Sequence, residues 1–388
     1  MLVSNVGTWM QNVAQSWLIY KMTGNDPLYL GWLGLAFALP MVLVPPLGGV
    51  VADRVDRVRL LFVTQSAALA VALLLAALTW THALRPWHIL ATTFAGALLL
   101  AFDNPARQTL VPELVPRHAL QNALSLNAAT FTGAALVGPA IAGALLDVVG
   151  PGWLFLGNAL SFLAVIFALM AMRDVQRSSA KPQGLRDALF GGFAYAAAQP
   201  WLVAVLVLSA AGAIFARSYQ QLLPVFADDV YRAGAKGYGA LLAGGGAGAL
   251  VGALAISSMR DIHHKGRVMI GAGVALAATL GLFAIVRTLI LGVVLVVAVG
   301  IAATVFTTMI ATMIQLRVPG PLRGRVIALY VSTLIGLPSL GSLGIAAVAK
   351  RVGSAPLAIE LGAAIFALAI LVAAPSQVRA TPRTDPSN

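Results

Sequence analysis

The sequence predicts an all-α integral membrane protein of twelve transmembrane helices, arranged as two six-helix pseudo-repeat halves. Three observations carry that prediction. The 388 residues are 60% hydrophobic and only 10% charged, with a mean hydropathy of +0.90, whereas a soluble domain carries about 25% charged residues to solvate its surface. The apolar residues fall into runs of about 20, the length that spans a bilayer core of roughly 30 Å. A 36-residue stretch also recurs 203 positions further along the chain.

Windows of about 19 residues place the spans in order. The first, 1–20, opens at Met1 with no hydrophilic lead, as if the helix began a turn or two upstream or the start were internal. It has no basic leader or cleavage site of a secretory signal. Ser4, Thr8, Gln11 and Gln15 recur at spacings of 4, 3 and 4, one helical face. The second, 28–51, runs into the charged stretch "GGVVADRVDRVRL" (48–60), and the third covers 60–82. The fourth, 87–103, ends at Asp103, four residues before Arg107. The fifth, 121–147, contains "GAALVGPAIAG" (133–143), whose Ala134, Gly138 and Ala142 have the small-x-x-x-small spacing of close helix contacts. The sixth is 152–172.

A polar linker, 173–198, then separates the N-terminal half (1–172) from the C-terminal half (199–374). The seventh span, 199–226, carries Arg217, Tyr219, Gln220 and Gln221 ahead of Pro224. The eighth, 237–258, holds the stripe Gly244–Gly248–Gly252, and the ninth is 267–286. The tenth, 289–312, places Thr304, Thr307, Thr308 and Thr312 among apolar residues. The eleventh is 325–348, and the twelfth, 355–374, has Glu360 near its start and leads into a tail, 375–388.

Charge orients these spans. Seventeen Lys and Arg lie in the loops after even-numbered segments and in the tail, and seven in the loops after odd-numbered ones. By the positive-inside rule the even loops, the linker and both termini are cytoplasmic. Arg217 is the one Lys or Arg assigned to the interior of a span, Arg267 and Arg325 being counted with the loops they adjoin. The repeat supports the division into halves. Residues 115–150 align without gaps to 318–353, with Gly133, Gly138 and Gly150 falling on Gly336, Gly341 and Gly353. Duplicated halves are a common transporter architecture.

Other classes fall away. The net charge of +12 is scattered singly between apolar segments, unlike the clustered basic face of a nucleic-acid binder. There is no cysteine, hence no disulfide framework or thiolate metal site. The five histidines (His82, His88, His118, His263 and His264) sit at segment ends or in loops, and no cofactor is expected. A membrane-embedded enzyme or sensor would need His, Asp, Glu or Ser groups clustered at one depth, which the sequence does not show. No Gly-x-x-x-x-Gly-Lys-Ser/Thr loop is present, so ATP is not the energy source in this chain.

The loop after the second span resembles the loop 2–3 signature of the major facilitator superfamily: Gly49, Asp53, Arg54 and Arg57 match, whereas Val51, Asp56 and Val58 depart. The stretches "GTWMQNVAQSWLIYKMTG" (7–24), "AFDNPARQTLVPELVP" (101–116) and "GNALSF" (157–162) extend the resemblance to the transmembrane secretion effector subgroup, which includes bacterial enterobactin exporters. Gly138, Pro139 and Gly143 are similar to that superfamily's antiporter motif in helix five, with Ala134 and Ala142 in place of two glycines.

The resemblance implies a single-chain, proton-driven exporter of a siderophore-like or drug-like molecule in the bacterial inner membrane, acting as a monomer. Nutrient uptake by the same fold is the alternative. It also implies a cytoplasmic latch built on Gly49, Asp53, Arg54 and Arg57, and Asp103 and Arg107 are assigned to the same cytoplasmic gate. The polar residues Gln11, Gln15, Arg217, Tyr219 and Gln220 are the candidate substrate path. Asp103 and Glu360 are candidates for proton coupling; Asp103 is equally an ion-pair partner of Arg107, and Glu360 either an interfacial carboxylate or a buried one.

Overall fold

The apolar runs become helices in the computed structural model, which describes residues 2–44, 55–110, 115–171, 193, 195–259 and 264–379. These form α1 (Leu2–Met22), α2 (Pro27–Leu43), α3 (Arg57–Trp80), α4 (Pro86–Leu110), α5 (Leu120–Val149) and α6 (Pro151–Ala171). There follow α7 (Pro200–Val230), α8 (Gly234–Ser258), α9 (Lys265–Ile285), α10 (Leu289–Arg317), α11 (Gly320–Val352) and α12 (Ala355–Arg379), with no strand among the described residues. Gly49, Asp53 and Arg54 of the charged loop, and most of the 173–198 linker, lie outside the described residues.

Ten of the helices, all but α1 and α2, contain a stretch long and apolar enough to cross a membrane. The polar stripe of α1 lowers its hydropathy, and α2 is described over only 17 residues. Local chemistry sets several ends. Asp26 caps α2 by accepting from the Leu28 amide at 3.0 Å, with Pro27 at the first helical position. Asp56 caps α3 by accepting from the Arg59 amide at 2.9 Å.

Several helices overrun the expected spans, because hydropathy finds the oily stretch rather than the helix. α4 continues past residue 103 to Leu110, since Asp103 and Arg107 pair one turn apart and keep the charged end helical. α7 runs to Val230 instead of 226, and α8 begins at Gly234 instead of 237. α10 extends to Arg317 and α11 starts at Gly320, with basic side chains near both ends.

The chain packs as two units, Met1–Pro182 with Gln221–Gly246, and Gln183–Gln220 with Ala247–Asn388. In the first, α3 and α6 meet through buried Ala72, Ala159 and Phe162, and a second cluster joins Leu61, Ala106, Leu110 and Leu169. In the second, Phe306 and Phe366 make an edge-to-face pair at 5.7 Å and Tyr219 meets Phe283 at 6.1 Å.

The repeat reappears as packing. A side chain at Gly138 of α5 would meet Trp9 Cβ at 2.5 Å and the Val6 carbonyl at 3.0 Å on α1. A side chain at Gly341 of α11, the 203-offset equivalent, would run into the Ile214 carbonyl and Ser218 on α7. The same glycine therefore seats the equivalent helix pair within each unit.

The outer faces show what the solvent is. Phe167 is 62% exposed and Ile290 79%, surfaces that water penalises at about 25 cal/mol per Å² and lipid does not. Exposed Trp80, Trp87 and Trp153 gather at one end of α3, α4 and α6, with Trp80 and Trp153 in contact at 5.4 Å, as in an interfacial aromatic belt.

Candidate functional site

Among the described residues of the first unit, the acid with the most hydrogen bonds is Asp103. Its side chain is buried between α3 and α4. Oδ2 accepts both Nε (3.0 Å) and an Nη (2.7 Å) of Arg107, while Oδ1 accepts from Gln65 at 2.7 Å and Thr64 at 3.1 Å. Both carboxylate oxygens are therefore engaged, one by Arg107 and the other by Thr64 and Gln65. The i,i+4 spacing made the Asp103–Arg107 pair legible. Thr64 and Gln65 were missed, although a polar pair inside the apolar run "LLFVTQSAALAV" was the available signal. Arg57, the loop residue within the described set, sits in the first turn of α3.

The polar face of α1 divides between two neighbours. Gln15 is buried and donates to Thr92 of α4 at 3.3 Å, whereas Gln11 accepts from Asn158 of α6 at 2.9 Å. The helix-five motif also has two contact faces. Gly138 seats α1, while Gly143 abuts Gly239 of α8, where an added Cβ would lie 2.7 Å from the Gly239 Cα. The Pro139 carbonyl also lies against Gly239, and Gly246 rests on the Ala135 carbonyl. α8 thus uses Gly239 and Gly246 against α5, and Gly248 and Gly252 against the Val297 and Ile301 backbone of α10.

At the other end of α1 lies a cluster that sequence reasoning did not find. Tyr20 donates to Asp229 at 2.6 Å, Lys21 pairs with Asp228, and the Asn25 amide reaches Asp228 at 3.0 Å and Asp229 at 3.2 Å. Trp17 stacks on Tyr238 at 6.2 Å with Lys21 over its ring. The two acids lie in a π turn, Phe226–Val230, that ends α7. Tyr20 is fully buried, so Asp229→Ala leaves its hydroxyl without an acceptor, a loss of about 1–3 kcal/mol. We expect thermal unfolding in detergent to show Asp229→Ala less stable than Tyr20→Phe. Adding Tyr20→Phe to Asp229→Ala should restore part of the deficit.

In the second unit, a π turn over Gly212–Ala216 adds a residue to α7 and ends with the Arg217 amide bonded to the Gly212 carbonyl at 2.9 Å. That extra residue shifts the helical phase of everything after it. Arg217 then lines a small pocket of about 10 Å³, room for about one water, walled by Ser209, Leu276, Ala303, Phe306 and Thr307. Among the described residues no carboxylate pairs with Arg217; its charged and polar neighbours are Tyr219 and Tyr330. Of the other residues expected on the path, Tyr219 is buried and Gln220 exposed. Glu360 is partly buried on α12, with no hydrogen bond or ion pair among the described residues.

Comparison with known proteins gives three kinds of likeness. A family model described as transmembrane secretion effector matches residues 1–388. The staphyloferrin A transporter of Staphylococcus aureus is 29% identical over 167 residues, 42% of this chain and 42% of that protein. The enterobactin exporter EntS of Escherichia coli is 26% identical over 304 residues, 76% of this chain and 72% of that protein. The match to the first of these relatives thus spans less than half of its length. The crystal structure of the nucleoside transporter NupG superposes with a TM-score of 0.72 at 16% identity, covering 97% of this chain and 98% of that one. At so low an identity the superposition speaks for the fold alone.

Proposed function

The chain belongs to the transmembrane secretion effector family of the major facilitator superfamily, and from that premise we propose that it exports a small, siderophore-like or drug-like molecule across the bacterial inner membrane, driven by the proton gradient. The observation that carries the reading is the match of the whole chain to that family, with relatives named as a siderophore transporter and a siderophore exporter.

In this reading all twelve helices cross the membrane in two six-helix halves, 1–172 and 199–374, and the linker and both termini are cytoplasmic. Gly49, Asp53, Arg54 and Arg57 form the cytoplasmic latch. The buried Asp103–Arg107 pair, held by Thr64 and Gln65, is assigned to the same latch. Gln11 and Gln15 of the first unit, and Arg217, Tyr219 and Gln220 of the second, are assigned to the substrate path. Asp103 and Glu360 are the two candidates for proton coupling.

Everted inner-membrane vesicles test the reading, with enterobactin, staphyloferrin A and ethidium as probes. We expect respiration to drive at least one probe into vesicles containing the protein, and a protonophore to stop it. Accumulation that survives the protonophore removes proton coupling. Accumulation only in right-side-out vesicles makes the protein an importer.

A further inference from the structure

We propose that residues 221–246, the second part of α7 and the first part of α8, form a strap that swings as one piece about two hinges, and that Asp228 and Asp229 are the catch holding it to the end of α1. The inference rests on the transporter reading above and adds a moving part that each transport cycle must release.

The strap is marked out by where the chain changes partners. Gln221–Gly246 packs with the first unit, although the chain on both sides of it belongs to the second. Each crossing coincides with a weak point of its helix. In α7 the π turn Gly212–Ala216 is followed by a break at Arg217 and Ser218, and π turns and runs of small residues are characteristic bending points. The Ser218 hydroxyl lies 2.6 Å from the Ile214 carbonyl and 2.9 Å from the Pro338 carbonyl of α11, which fixes the base of that hinge in the second unit. In α8 the crossing falls within "GGGAG" (244–248). A side chain at Gly246 would meet the Ala135 backbone of α5, whereas one at Gly248 would meet the Val297 backbone of α10. The partner changes within two residues.

Between the hinges the strap is braced. The Ala233 amide donates to the Ala227 carbonyl at 2.8 Å, and Arg232 and Gly234 are left-handed, which folds α7 tightly onto α8. The hold on the first unit is polar and one-sided. The end of α1 and the turn after it supply the donors, Tyr20, Lys21 and Asn25, and the strap supplies the acceptors, Asp228 and Asp229. Such charge-assisted bonds are strong when made, and water replaces them when they part. The apolar seat is lean: Gly239 lies against Gly143, and Trp17 stacks on Tyr238. Two glycines in contact bury little apolar surface, so undocking costs little hydrophobic free energy. The two carboxylates therefore decide whether the strap is docked.

The test is the distance between paired spin labels on the purified full chain in lipid nanodiscs, in a chain with no cysteine to remove. One label replaces exposed Lys236 on the strap, and the other replaces exposed Arg85 of the first unit or exposed Arg287 of the second. Asp228→Ala/Asp229→Ala should raise the population with a longer Lys236–Arg85 distance about tenfold, which is about 1.4 kcal/mol. The Lys236–Arg287 distance should change with it. Lys21→Gln/Asn25→Gly keeps the acceptor of Tyr20 and the left-handed turn at residue 25. It should give a smaller shift of the same kind, which keeps the test decisive if the first variant does not fold. A change confined to one of the two distances overturns the hinged strap, because a rigid half carries its own labels together. Unchanged distances in both variants overturn the catch. Both distances changing in a protein that transports none of the vesicle probes sinks the transporter reading alone. Proton-driven transport with a rigid strap sinks this inference alone.

Discussion

Asp103→Asn is expected to abolish transport in vesicles while the protein still reaches the membrane in reduced amount. The carboxylate accepts from Arg107, Thr64 and Gln65 at 2.7–3.1 Å and is almost wholly buried. An amide keeps one acceptor oxygen for Thr64 and Gln65, but turns its NH₂ toward the guanidinium and leaves the Arg107 charge uncompensated. Removing one member of a buried ion pair costs about 3–5 kcal/mol. Restoring the charge balance with Asp103→Asn/Arg107→Gln should recover stability, because two amides can hydrogen-bond to each other. It should not recover transport if the charged pair anchors the latch. Full activity in the double variant would show that the pair only holds α3 and α4 together.

The second large effect is expected at the repeat glycines. Gly341→Leu should prevent α11 from seating on α7, because its Cβ runs into the Ile214 carbonyl and the Ser218 hydroxyl. That hydroxyl is already placed 2.6 Å from the Ile214 carbonyl and 2.9 Å from the Pro338 carbonyl, so the substitution disturbs packing and hydrogen bonding together. Overpacking a well-filled contact costs about 1–3 kcal/mol, and contact with backbone gives little room for relief. Gly138→Leu presses on Trp9 Cβ at 2.5 Å and the Val6 carbonyl at 3.0 Å, contacts less close than those at Gly341, and should be the milder of the pair. Gly133→Leu, whose Cβ meets nothing within 4 Å, is the control. Thermal unfolding in detergent should rank the three in that order, and a Gly341→Leu protein as stable as wild type would remove the assigned contact.

Some of the candidate site was readable because its signal is local. Asp103 and Arg107 lie one helical turn apart on the same helix, so spacing alone pairs them. The helix-five glycines were legible as a close-contact stripe for the same reason. The stripe did not say that Gly138 would receive α1 and Gly143 would receive α8, since successive residues point about 100° apart around the axis. The cluster at the end of α1 left no such trace. Tyr20 and Asp229 are 209 residues apart, and each alone resembles an ordinary residue at a membrane boundary.

Composition and run length by themselves pointed to the lipid solvent, the all-helical class and the approximate spans, and comparison of the chain with itself suggested a duplication. These properties are sums over neighbouring residues, or comparisons of one stretch with another, and need no knowledge of what touches what. The tertiary structure alone decided which polar groups are already satisfied. It gave Asp103 to Thr64 and Gln65, and Gln15 to Thr92. It also placed Arg217 beside a small pocket with no carboxylate partner among the described residues. Those outcomes depend on the rotation of each helix about its axis, and one additional residue in the π turn of α7 is enough to change where Arg217 points.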